Sequence, residues 1–475
     1  MAAAWIHPGC KPKEATIPPN QPHDSSNVTI QTELQRAVDL PLVHDPSQRP
    51  LPVSRPAADA RRWALQALED GYRKSGRTNL LWDATVQQAF AAYVDYSRLN
   101  TTNWPALKAA LARIPDECDD AMIQYMRVRY REQSESKDAT TLEFLRAQEA
   151  LQRSEHHPAF TFMAGLRAVQ SLGAGQSNAG ANRITWTTIC LQDLARDTNA
   201  PVDEVFNAAN QWVEFRRGKA WTDYVTRDLL PILEQGWGHT ERWFRFRGRT
   251  EIRFAWGERG GGYANTVPEA GWEGFRQHLE QAEGFLAKAW QMNTNAAETA
   301  YLIMRVELGQ GRSRPRMETW FNRAMSLNTN FYDAASLMSF YLEPRWYGSE
   351  AAALKFARSC ATSPQWGGQV PLVLADLHRS LARYYSLSNS PAYWHRPAVW
   401  RDVQASYERF FALNPEAVNW RHNYAKDAYD CGQYAEFLQQ AKRFTAGTNH
   451  TFFGGTEKFL EMLERASAAT ARASP

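Results

Sequence analysis

What the chain lacks narrows it first. No apolar run reaches the roughly 18 to 20 residues that a bilayer-spanning helix needs, so no transmembrane segment is expected. The five cysteines, Cys10, Cys118, Cys190, Cys360 and Cys431, form no Cys-x-x-Cys pair and have no His partner at zinc-finger spacing. An odd number spread so widely indicates neither a disulfide framework nor a metal site. Charge of one sign is missing too: 54 basic and 51 acidic side chains leave +3, which gives no whole-molecule field for gathering nucleic acid or an anionic membrane. There is no H-E-x-x-H, no G-x-S-x-G and no phosphate-binding loop. GAGQSNAGAN at 173–182 comes nearest to a dinucleotide fingerprint, but Asn178 replaces the third glycine and a helix, not a strand, precedes it; it reads as a flexible loop. No catalytic residue and no cofactor is therefore assigned. His156, His157, His378, His395 and His422 are scattered, and such histidines are more often surface or core residues than ligands. Asp119, Asp120 and Glu343 lie in helical charge patterns, where pairing or solvation is the default.

What is present is length, aromatic mass and helical period. At 475 residues the chain exceeds what one hydrophobic core organises, so it comprises several domains or a stacked array. Residues 1–57 hold ten of the 24 prolines and read as a disordered, extended tether, because proline cannot donate to a helix or a sheet ladder. Its first ten residues, MAAAWIHPGC, resemble the tail of an apolar export segment. The location is cytoplasmic or, with a start further upstream, exported and lipid-anchored at Cys10. Residues 58–238 carry amphipathic stripes such as Leu81, Val86, Ala89, Phe90, Tyr93 and Val94, which predict a helical region built of hairpins.

The second half repeats itself. Segments ending QAEGFLAKAWQMN, METWFNRAMSLN, AAALKFARSCAT, VQASYERFFALNP and FLQQAKRFTAGTN superpose at Ala289, Ala324, Ala357, Phe410 and Phe444, with gaps of 35, 33, 53 and 34 residues. The long gap is one period plus 19, and the surplus falls in SLSNSPAYWHRPAVW. Each unit reads as two antiparallel helices. The small residue lets one helix approach its neighbour, and Leu286, Phe321, Leu354, Tyr407 or Ala441, three positions earlier, fills the gap. With the Gly432-x-Tyr434 turn and Asn414-Pro415, this pattern resembles the tetratricopeptide repeat (TPR). The departures are Phe410 and Phe444 at alanine positions, Glu350 at a small-residue position and Trp420 one place off. GWEGF, METWFNRAM and YLEPRWYGS also resemble bacterial proteins of no assigned activity that join such repeats to a helical N-terminal region. The resemblance implies an all-α, TPR-like α-solenoid of antiparallel helix hairpins over 268–446, closed by a C-terminal capping helix and tail over 447–475.

One segment stands apart. ERWFRFRGRTEIRFAWGERGGGY packs six arginines and two acids into 242–259, which carries +4 and leaves the rest of the chain at −1. Near-alternation of Arg and aromatic residues predicts an inserted two-stranded β-ribbon within 239–267, turning at Gly248-Arg249-Thr250. Its apolar row packs inward and leaves Trp243, Arg245, Arg247 and Arg253 outward as partner-binding candidates. Against this stands the reading in which the arginines lie over apolar surface and pair with acids on neighbouring helices. The functional expectation is a non-catalytic protein-protein interaction scaffold that binds a peptide or partner protein on the concave surface of the solenoid. Two alternatives stand beside it: nucleic-acid or polyanion binding through the ribbon, and an enzyme with a site between the N-terminal helices and the repeats.

Overall fold

The computed structural model describes residues 55–98, 104–130, 137–172, 178–216, 218–444 and 450–473. Cys10 and almost all of the proline-rich stretch lie outside them. The described residues are helical, with no strand among them. They divide into two compact units, within Pro50–Thr250 and Glu251–Pro475.

In the first unit the helices α1 (Arg55–Lys74), α2 (Asp83–Arg98), α3 (Trp104–Arg113), α4 (Ala121–Tyr130), α5 (Lys137–Gln152), α6 (Pro158–Leu172), α7 (Asn178–Arg196) and α8 (Val202–Phe215) follow one another. Each packs on the next in sequence. Ala64, Leu68, Phe90, Leu107, Met122, Ile123, Met126 and Phe160 share one core among α1 to α6. Residues 178–182, expected in a flexible loop, open α7 instead. After α8 come α9 (Lys219–Tyr224), a π turn (Val225–Leu229) and α10 (Leu230–Trp237). Pro231 has no N–H to give to the carbonyl four residues back, so the ladder slips by one residue across the preceding turn.

The segment expected as a β-ribbon is a helix, α11 (Glu241–Arg259). Alternation over so few residues competes poorly with helical geometry here, because no proline interrupts 241–259 and a two-stranded ribbon is marginal in water. Helical spacing also satisfies the charges. Arg245 donates to Glu241 one turn earlier at 2.9 Å, and the Arg247 guanidinium lies 5.8 Å from the centre of the Trp243 ring, four residues before it. A glutamate in the first turn and an arginine in the last complement the helix dipole. Gly260, with φ 71°, ends the helix by receiving the left-handed position that disfavours other residues. The chain then reaches α12 with Pro268 at the N-cap, as the glycine-rich turn implies.

The second unit continues with α12 (Glu269–Met292), α13 (Ala297–Gln310), α14 (Arg314–Leu327), α15 (Tyr332–Tyr341), α16 (Glu350–Thr362), α17 (Val373–Trp394), α18 (Pro397–Leu413), α19 (Arg421–Asp430), α20 (Tyr434–Ala441) and α21 (Thr456–Ala473). Each helix packs on the next, and contacts also skip one helix, α13 to α15, α15 to α17 and α16 to α18. Four of the five superposed positions, Ala289, Ala324, Ala357 and Phe410, are fully or almost fully buried; Phe444 is half-buried. Phe444 packs against the aromatic cluster of Phe437, Phe453 and Phe459 beneath α21.

The turns repeat as well. At the ends of α12, α14 and α18 the backbone N–H of Asn293, Asn328 and Asn414 bonds back to the carbonyl of Ala289, Ala324 and Phe410 respectively. In the first two turns, both Asn-Thr-Asn, the side chain of the first asparagine accepts the N–H two residues on. The next helix then starts four residues after that asparagine. This is the Asx turn, which reverses the chain within a few residues. The surplus 19 residues lengthen α17 to 22 residues, against 10 in α15 and α19.

Replacing Phe410 by alanine leaves a cavity at a seam and is expected to cost about 3–5 kcal/mol, read as a lower urea midpoint by circular dichroism. Leu81, expected in the apolar stripe of α2, precedes that helix, and Leu80 and Leu81 are 98% and 85% exposed. Changing both to serine should move stability by no more than about 0.5 kcal/mol.

Candidate functional site

The residues nominated from the sequence do not form an outward face. Trp243 and Arg253 are 2% and 8% exposed, and the Arg245 side chain is 13% exposed. Arg247 is half-buried against Trp243. Arg242 is paired with Asp203 on α8 and with Glu241 at 2.8 Å. The error follows from the wrong period: at 100° per residue no position from Glu241 to Trp256 is exposed, whereas a strand would have turned alternate side chains to solvent. Pairing with acids accounts for Arg242 and Arg245, Arg247 lies over the Trp243 ring, and none of the four nominated residues lies on an exposed face.

The scattered histidines fare differently. His156 meets Asp120 at 2.9 Å with both side chains buried, and Asp120 also accepts the N–H groups of Met122 and Ile123 at the start of α4. His157 meets Asp197 at 2.9 Å. Asp119 and Glu343, expected in helical charge patterns, lie in the turns between helices; they pair with Arg77 and Arg345 at 2.9 and 2.7 Å. His378, buried on α17, joins a chain of four polar groups. Its Nδ1 lies 2.8 Å from the Tyr393 hydroxyl and its Nε2 3.2 Å from Asp402 Oδ2. Asp402, on α18, receives Arg358 of α16 through Nε at 3.1 and 3.0 Å and through Nη2 at 2.8 Å. One tautomer satisfies every group: the tyrosine O–H donates to Nδ1, Nε2–H donates to the carboxylate, and the guanidinium donates from the other side.

Local sequence places these residues. The side chain of Ser349 caps α16 by accepting the Ala352 N–H at 3.2 Å, and Glu350 follows in the positive first turn. Pro397 starts α18 where its missing N–H is harmless, which fixes Arg396 just outside. Arg396 lies 4.7 Å from the Tyr393 ring centre and 5.8 Å from that of Tyr385. Tyr385 in turn donates to Glu350 at 2.6 Å. Without the surplus residues of α17, neither Tyr393 nor Arg396 would reach this seam.

The outer side of the seam is a depression of about 840 Å³ along α16, bounded by Glu350, Ala351, Leu354, Lys355, Arg358, Ser359 and Thr362. These positions recur every three to four residues and form one stripe of the helix. The relay therefore runs inward from the half-exposed Arg358 to the buried Tyr393.

The electrostatics keep Asp402 ionised and Arg358 protonated. Burial raises the Asp402 carboxyl, but hydrogen bonds from His378 and Arg358 outweigh it and the group sits below the ordinary range. The bond to Asp402 raises Arg358 further. Burial lifts the Tyr393 hydroxyl well above its usual value, so it is a donor and not a ready phenolate. Cys190 is pushed up to about 11 by burial, and Cys118, Cys360 and Cys431 are raised for the same reason, which keeps them as thiols. Beside the relay lies a second buried network: Arg379 donates to Asp427 at 3.0 and 2.5 Å, and also to Asp376 and Tyr407. Burial works against this guanidinium, but the neighbouring Asp427, Tyr407 and Asp376 hold it above its ordinary value. That network ties α17 to α18 and α19. Among the described residues no group of three or more His, Cys, Asp and Glu side chains could hold a metal, and no helix is long and apolar enough to cross a membrane.

No protein-family model matches the chain, and no curated protein matches it. Function is therefore read from the side chains.

His378→Leu removes one partner from both Tyr393 and Asp402 and is expected to destabilise by about 1–3 kcal/mol, measured by chemical unfolding. The folded pKa of Asp402 lies below its unfolded value. Its contribution is full above about pH 4, the ordinary carboxyl range, and is lost as pH falls through the folded value. Asp402→Asn should therefore flatten the acid limb of a stability-versus-pH curve and leave neutral pH at a lower plateau.

Proposed function

We propose that residues 268–446 form a TPR-like α-solenoid and that the protein is a non-catalytic scaffold holding a peptide or partner protein. The observation that carries this reading is the repetition of one turn and one packing scheme. Asn293 and Asn328 close their helices in the same way, and α13, α15 and α17 touch in succession while α16 touches α18. Stacked hairpins of this kind bury one side of each helix and leave the other free of core duties, and partners dock on that free side. The depression along α16 is such a surface, because its lining residues come from a single helical stripe whose opposite side supplies Ala353, Ala357 and Cys360 to the core.

The reading is tested with the full chain carrying a photo-crosslinking amino acid at exposed α16 and α18 positions such as Ala351 or Arg401. A discrete crosslinked protein, competed by excess unlabelled chain, is expected. No discrete product, together with turnover of a metabolite by the same preparation, would overturn it.

A further inference from the structure

The geometry points to an acidic, extended peptide as the ligand of the α16 depression, with its carboxylate held by Arg358 and Lys355. This rests on the scaffold reading and narrows it to one surface and one ligand chemistry.

Arg358 is the fixed point. Its Nε and Nη2 are committed to Asp402, and Asp402 is itself held by His378 and, behind it, Tyr393. The guanidinium plane is thus set before any ligand arrives, and Nη1 takes no partner among the described residues. An arginine held in this way loses little rotamer freedom when it receives a carboxylate, and preorganisation of this kind improves affinity. Lys355, one turn earlier on the same stripe, is exposed and places a second cation beside it. The carboxylate at the other end of the stripe, Glu350, is already occupied by Tyr385 at 2.6 Å and Arg396 at 3.6 Å. Asp402 balances the charge of Arg358, so the middle of the depression presents one cation with no counter-charge among the described residues, Lys355, beside the outward Nη1 of the oriented guanidinium.

The remaining polar groups separate a peptide from a simple anion. Ser359 donates its proton to the Phe356 carbonyl at 2.6 Å and Thr362 donates to the Arg358 carbonyl at 3.0 Å. What both hydroxyls offer outward is lone pairs. A carboxylate or phosphate oxygen gains nothing from a lone pair, whereas a backbone N–H does. A strand of peptide brings N–H donors at a regular spacing together with acidic side chains, so one molecule satisfies both halves of the surface. Ala351 and the outer edge of the half-buried Leu354, which also packs on the core, supply an apolar patch between Glu350 and the two cations for the alternate side chains of an extended segment.

The test uses the full chain and fluorescence anisotropy with two labelled hexapeptides, Leu-Glu-Ala-Asp-Leu-Glu and its neutral twin Leu-Gln-Ala-Asn-Leu-Gln, at low and moderate salt. The acidic peptide should bind at least about tenfold more tightly than the twin, in line with a hydrogen bond to a charged group, and should weaken as salt rises. Lys355→Gln and Arg358→Gln should each remove most of that preference. Arg62→Gln, which removes an 80%-exposed arginine in the other unit, should change nothing. Lys355 makes no hydrogen bond or ion pair among the described residues and is exposed, so its variant keeps the test valid even where Arg358→Gln disturbs Asp402. Equal affinity for the two peptides, or wild-type binding by both variants, overturns the proposal. So does complete displacement by millimolar phosphate at constant ionic strength, because the site would then read charge alone. Absence of binding to either peptide also overturns it; a photo-crosslinked partner that persists in that case leaves the scaffold standing, and loss of both removes scaffold and site together.

Discussion

The second unit depends on close approach of helices at a few small or fully buried positions. Ala289, Ala324 and Ala357 expose none of their surface, and a larger side chain at any of them would hold neighbouring helices apart, because a packed interior has no slack for extra methylenes. No single hairpin of 10- to 14-residue helices can hide its apolar stripe alone. Contact with the next hairpin completes each core segment, and the Asx turns at Asn293 and Asn328 set the register in which that contact is made.

Within that frame the polar groups fall into two kinds. The Arg379, Asp427 and Tyr407 network is enclosed and ties α17, α18 and α19 together. Breaking such a pair on one side strands a buried charge, so its role is to specify which helices meet. The Tyr393, His378, Asp402 and Arg358 relay has the opposite design, with one end buried and the other in solvent. Burial at the inner end removes reactivity from the tyrosine, and rigidity is passed outward to the arginine. The arginine at the surface is thereby oriented by side chains locked in place behind it.

The place where the repeat departs from its period is also the place where this relay is assembled. Nineteen surplus residues lengthen α17 and carry Tyr393 to the seam and Arg396 to the start of α18. A regular array would have ended the helix sooner. Irregularity inside an otherwise periodic chain is tolerated because each repeat answers chiefly to its neighbours, and an insertion there alters one seam without disturbing the rest.

The sequence by itself determined the helical character of both halves and the buried recurrence at Ala289, Ala324, Ala357 and Phe410. Those features follow from periods of 3.6 and about 34 residues that can be counted along the chain. Only tertiary structure decided the state of 241–259, because five alternating residues fit a strand and a helix equally well until burial on all sides and the pairing of Arg242 and Arg245 favour one. Tertiary structure alone also assembled the relay. Arg358 and Asp402 are 44 residues apart, and His378 lies 24 from Asp402 and 15 from Tyr393, distances that no local motif spans. Such a group exists only where three helices converge, and convergence depends on packing of the whole unit instead of on any stretch of its sequence.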